Sequence, residues 1–139
     1  MTPPPSGART EGPTPVSPLV LIVDDDEKNR KLARDVLRAA GIRTIETASG
    51  RESMALATER RPDVILLDLR LPDMDGPDVA RMLRDGAETA GIPIVALSAL
   101  RYPGEGASLT EDFAGYLEKP IDVRAFPDQV RSYCRRAGP

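Results

Sequence analysis

The stretch DVILLDLRLPDMDGPD, residues 63–78, starts as a core strand and then changes character. Val64 to Leu67 form an unbroken aliphatic run, the pattern of a strand covered on both faces. The run ends on an acid, Asp68, and Pro72, Asp73, Asp75 and Gly76 follow closely. Buried strands ordinarily end in neutral or turn-forming residues. Asp73 and Asp75, beside Gly76, have the composition of a turn and are assigned to turn chemistry. Asp68 is not explained that way, and its reason lies in what flanks it.

Outward from this stretch, strand-like and helix-like pieces alternate. LVLIVD (residues 19–24) is another short apolar run. DEKNRKLARDVLRAAG follows with Leu32, Val36, Leu37 and Ala40 at helical spacing, with Asp26 as an N-cap and Gly41 as a stop. IRTIETA (42–48) is a weaker strand, and SGRESMALATERRP (49–62) a helix that begins near Ser49 and is closed by Pro62. After the opening stretch, GPDVARMLRDG makes a helix with Pro77 in its first turn. IPIVALS (92–98) is a fourth strand, GYLEKP (115–120) holds a short fifth, and FPDQVRSYCRR (126–136) is the last helix. Cys134 belongs to that helix as a packing residue. The helix due between strands four and five is short or irregular, around Ser108 to Phe113, because Pro103, Gly104 and Gly106 spoil its first half.

Five short strands alternating with helices imply an α/β fold: a parallel sheet, helices on both faces and right-handed crossovers. A common doubly wound, flavodoxin-like order for five strands is 2-1-3-4-5, in which ligands bind beyond the carboxyl ends of strands 1 and 3. Strand one ends in Asp24, Asp25 and Asp26, and strand three in Asp68. Neighbouring strands lie about 4.8 Å apart, so these acids converge. Two carboxylates about 4 Å apart repel by about 4 kcal/mol at an effective dielectric near 20. A hard divalent cation relieves that repulsion, and Mg²⁺ suits one or two carboxylates with waters completing its shell. Strand four, next to strand three, ends in Ser98, a short hydroxyl within reach of Asp68. Strand five lies about 10 Å away, a gap that Lys119 is long enough to close. Acid pair, acid acceptor, hydroxyl and lysine together describe a site for an oxyanion built on a carboxylate.

Composition narrows the chemistry further. The 139 residues are 40% hydrophobic and 29% charged, a globular balance that suggests one domain with a real core. Without a single His, Ser-His-Asp triads, His-ligated zinc and a phosphohistidine on this chain are excluded. One cysteine forms no internal disulfide. The net charge of −3 gives no electrostatic footprint for nucleic acid or acidic membranes. No signal peptide or spanning apolar run is present, which gives a cytoplasmic expectation. Residues 1–17, rich in Pro with Gly, Ser and Thr, are expected to be a disordered tail before a domain at 18–137.

The segments LIVDDDEKNR, DVILLDLRLPDMDG, PIVALSAL and GYLEKPI, in this order and spacing, resemble the receiver domains of bacterial two-component response regulators. The resemblance spans about Leu19 to Arg136. It implies that Asp68 takes a phosphoryl group from the phosphohistidine of a sensor histidine kinase or a histidine phosphotransfer protein. Mg²⁺ would be held by Asp25 directly, by Asp24 largely through water, by Asp68, and by the backbone carbonyl of Arg70. Ser98 and Lys119 would contact phosphoryl oxygens, and Ser98 with Tyr116 would form the switch. The Lys119–Pro120 peptide bond would be cis. Since the sequence ends three residues after Arg136, a single-domain regulator, monomeric or weakly dimeric, is expected. The segment from Ser98 to Lys119 is slightly shorter than usual in such domains.

Other readings predict different behaviour. A module that keeps the receiver fold but signals without phosphorylation would hold its partner equally well after Asp68→Asn. A phosphatase of the haloacid dehalogenase type is echoed by Asp24-x-Asp26, but Lys28 stands where that family carries Thr or Val. A flavodoxin-like electron carrier conflicts with acids that would repel the phosphate of FMN.

Overall fold

A computed structural model describes residues 17–98 and 112–134 of the chain. Strands β1 (Leu19–Val23), β2 (Arg43–Thr47), β3 (Val64–Asp68), β4 (Ile94–Ser98) and β5 (Gly115–Glu118) form one sheet in the order β2-β1-β3-β4-β5. Every pairing is parallel. This is the doubly wound 2-1-3-4-5 arrangement expected from the alternation. Helices α1 (Glu27–Ala39), α2 (Gly50–Arg60), α3 (Gly76–Asp85) and α4 (Phe126–Tyr133) complete the described elements. The region around Ser108 where a short helix was expected falls outside the described residues, apart from Asp112 and Phe113. So does the expected tail, except for Ser17, whose carbonyl accepts two hydrogen bonds from the Arg43 guanidinium.

All five residues of each of β1, β3 and β4 are buried, as continuous apolar runs covered on both faces require. Alternate residues feed two cores. Val20, Ile22, Leu66, Val95 and Leu97 meet α1 and α4 through Leu37, Phe126 and Val130. Leu21, Val23, Ile65, Leu67 and Ile94 meet α2 and α3 through Ala57, Val79 and Leu83. The period-2 geometry of strands dictates this division.

Local chemistry sets the helix boundaries. Asp26 caps α1 by accepting from the amides of Lys28 and Asn29, and Ser49 caps α2 by accepting from Glu52. Pro77 sits in the first turn of α3, and Gly41 adopts φ 84° after α1. Two expectations are corrected. Leu32, read as part of the apolar stripe of α1, is 41% exposed. Helix α4 stops at Tyr133, so Cys134 is its C-cap rather than an interior residue, though it still packs half-buried against the core. Burial pushes its thiol up to about 11, with the Asp63 carboxylate adding to the shift and Arg131 opposing it, which keeps the thiol protonated.

Candidate functional site

The carboxyl ends of β1, β3, β4 and β5 open on a cleft of about 350 Å³ lined by Asp25, Asp26, Asn29, Asp68, Leu69, Arg70, Ser98 and Lys119. Asp24 and Asp25 follow β1, while Asp68 and Ser98 are the last residues of β3 and β4. Asp24 (1% exposed), Asp68 (8%) and Ser98 (5%) are buried, whereas Asp25 faces solvent. One carboxylate oxygen from each of Asp24, Asp25 and Asp68 lies within 4.8 Å of the others.

Lys119 reaches this cluster from β5. Its Nζ stands 2.9 Å from Asp24 Oδ2 and 3.5 Å from Asp68 Oδ2. The lysine therefore bridges two acids rather than addressing Asp68 alone. Three carboxylates beside one ammonium leave negative charge uncompensated in the cleft. The donors are all hard oxygens, and that set fits a divalent cation of the Mg²⁺ kind.

The Asp68 carboxyl is pushed above its ordinary value. Burial is the main cause, and the neighbouring Asp24 adds to it. The Arg70 amide, which donates to Asp68 Oδ1 at 3.1 Å, and the Lys119 charge pull the other way. Asp24 is held by backbone contacts on both sides. Its Oδ1 accepts from the Asp26 amide at 2.9 Å, and its own amide donates to the Thr47 carbonyl at 3.1 Å.

The Lys119–Pro120 peptide bond is cis. Tyr116 is half-buried on β5 in register with Ala96 and does not line the cleft. Two residues outside the sequence-based set connect the acid loops to neighbouring elements. Arg30, one turn into α1, donates to the Asp24 carbonyl at 2.9 Å while its Nε pairs with Glu46 at 3.1 Å. Asp73 does not simply stabilise its own turn but bonds to the start of α2. A cation one helical turn beyond an acid run is a signal for the first; nothing local in the sequence signals the second.

Comparison with known proteins agrees with this geometry. Residues 20–131 match the family described as the response regulator receiver domain. The polar-differentiation response regulator DivK of Brucella anthropi is 40% identical over 115 residues, covering 82% of this chain and 94% of that protein. Among solved structures, the chemotaxis response regulator CheY4 of Vibrio cholerae is similar with a TM-score of 0.79 and 27% identity, over 84% of this chain and 98% of that one. The receiver domain of a sensor histidine kinase from Pseudomonas aeruginosa, which has a magnesium ion coordinated in its active site cleft, gives 0.76 and 28%, over 84% and 97%. No described helix is long and apolar enough to cross a membrane.

Proposed function

The chain belongs to the response regulator receiver family and serves phosphorelay signalling, and from that premise we propose that Asp68 is its phosphoacceptor. A sensor histidine kinase or a histidine phosphotransfer protein supplies the phosphoryl group from a phosphohistidine. A carboxylate oxygen of Asp68 attacks phosphorus in line, the P–O bond forms as the P–N bond breaks, and the imidazole leaves and takes up a proton. The product is an acyl phosphate on Asp68.

Asp24, Asp25 and Asp68, with the Arg70 carbonyl, would hold Mg²⁺. When bound, it neutralises charge on the transferring phosphoryl group. Lys119 pairs with a phosphoryl oxygen, for which it gives up part of its contact with the acids. Ser98 donates to another, and this movement at the end of β4 is read by Tyr116 on the adjacent strand. The chain is thus a switch that modifies itself rather than an enzyme acting on external substrate. A monomer or weak dimer in the cytoplasm, with protein rather than nucleic-acid partners, suits its acidic charge.

The convergence of three carboxylates within 4.8 Å of one another, braced by Lys119, carries this reading. It is tested by mixing the protein with an autophosphorylated histidine kinase carrying labelled phosphate. Label is expected to pass to the wild type in Mg²⁺, and to neither Asp68→Asn nor the wild type in EDTA. No transfer from a panel of kinases, together with partner affinity unaltered by Asp68→Asn, would favour a module that signals without phosphorylation.

A further inference from the structure

Asp73 lies in the loop that joins the end of β3 to α3, five positions beyond Asp68. Its carboxylate leaves that loop and meets the first residues of α2. Oδ1 accepts from the Gly50 amide at 2.9 Å, and Oδ2 accepts from the Arg51 amide at 3.1 Å and the Ser49 hydroxyl at 3.2 Å. Those amides hold the Asp73 carboxyl below the ordinary carboxylate range, as charge-assisted bonds do.

The tethered loop is the one that frames the acceptor. The Arg70 amide bonds Asp68 Oδ1, the backbones of Arg70 and Asp75 pair antiparallel, and the Gly76 amide donates to the Leu69 carbonyl at 3.0 Å. The start of α2 fits flush against this loop and α3, since a Cβ on Gly50 would lie 2.8 Å from Val79 Cγ2 and 3.3 Å from Met74 Cβ. The end of β2, just before the β2–α2 turn, also meets the other acid loop. The Thr47 carbonyl accepts from the Asp24 amide, while the Thr47 hydroxyl accepts from the Ser49 amide at 3.1 Å and bonds Glu52. No β2 residue lines the cleft, yet the last residue of β2 and the start of α2 contact the two loops that carry its acids.

We infer that Asp73 is a positioning residue for the metal and phosphoacceptor site: by tying the loop after β3 to the start of α2, it fixes the Arg70 peptide beside Asp68 in the arrangement that binds a divalent cation. This rests on the proposed reading of the cleft. Asp73 touches neither metal nor phosphoryl group; it acts through the loop. Direct hydrogen-bond partners of metal ligands typically change metal affinity by about 10–100-fold when removed, and Asp73, which holds a ligand's loop rather than a ligand, is expected at the low end of that range.

The test is calorimetric titration of the whole chain with MgCl₂, beside chemical denaturation. Asp73→Ala is expected to weaken Mg²⁺ about tenfold, and Asp73→Asn less, because its amide oxygen still accepts one bond. Ile92→Val, a packing loss at the opposite end of the sheet, is expected to lower stability and leave Mg²⁺ affinity unchanged. If Asp73→Ala does not fold, Asp73→Asn and Ser49→Ala carry the comparison, each expected to weaken Mg²⁺ measurably. Stability lost with unaltered Mg²⁺ affinity in the Asp73 variants would make Asp73 a helix cap only and overturn the inference. A wild type that binds no Mg²⁺ would overturn the reading of the cleft and this inference with it.

Discussion

At the scale of single residues, the site is a controlled excess of negative charge. Burial raises the Asp68 carboxyl, and the Arg70 amide and Lys119 only partly offset it. A carboxyl raised in the fold contributes stability that is present below its unfolded value and lost as pH climbs through its folded one. Without metal, Asp68→Asn is therefore expected to stabilise the protein at neutral pH, because it removes a charge that the fold disfavours. The gain should shrink toward the acid side of the ordinary carboxylate range. Thermal melts of both proteins in EDTA across pH 4–8 check this; a variant less stable than wild type at neutral pH would contradict it. Asp24, Asp25, Asp68, Ser98 and Lys119 were legible in the sequence because each sits at or just past a strand end, where position in the fold follows from position in the chain. Asp73 was not, because its partners lie 22–24 residues away and its local sequence is satisfied by a turn.

At the scale of elements, the junctions matter more than the elements. Gly76 opens α3 where the loop turns back over Asp68. A Cβ there would lie 2.7 Å from Leu69 Cα and 3.0 Å from the Asp68 carbonyl oxygen, so α3 or the acceptor loop must shift. Gly76→Ala is expected to cost about 1–3 kcal/mol, as overpacking does, and to weaken Mg²⁺ binding in the same protein. Urea denaturation and metal titration together measure both; loss of stability with unaltered metal binding would mean that α3 moved and the loop did not. Strands β1, β3 and β4 could be read from the sequence because they are buried on both faces and therefore uninterrupted. Helix α1 was harder at its surface: Leu32 has the spacing of a core residue, but the chain offers no described neighbour that covers it fully. The end of α4, read as Arg136 from the sequence, falls at Tyr133, a boundary that helix propensity does not fix.

At the scale of the molecule, strand order was legible because alternating strands and helices with right-handed crossovers leave few arrangements. The order in turn places four strand ends around one cleft, so fold and site were read by the same step. Polar connections between elements were not legible: Arg30 joining Asp24 to Glu46, and Asp73 joining the acceptor loop to α2, depend on three-dimensional closeness that periodicity does not encode. They make the acid cleft a property of the whole carboxyl end of the sheet rather than of five side chains. The central claim is that this cleft phosphorylates Asp68. Its most direct test is intact-mass spectrometry after incubation with Mg²⁺ and a small acyl phosphate, followed by borohydride reduction and peptide mapping. One phosphoryl adduct is predicted, mapped to Asp68 and absent both in EDTA and in Asp68→Asn. An adduct that survives Asp68→Asn, or none on the wild type under conditions where Mg²⁺ is bound, would contradict the account.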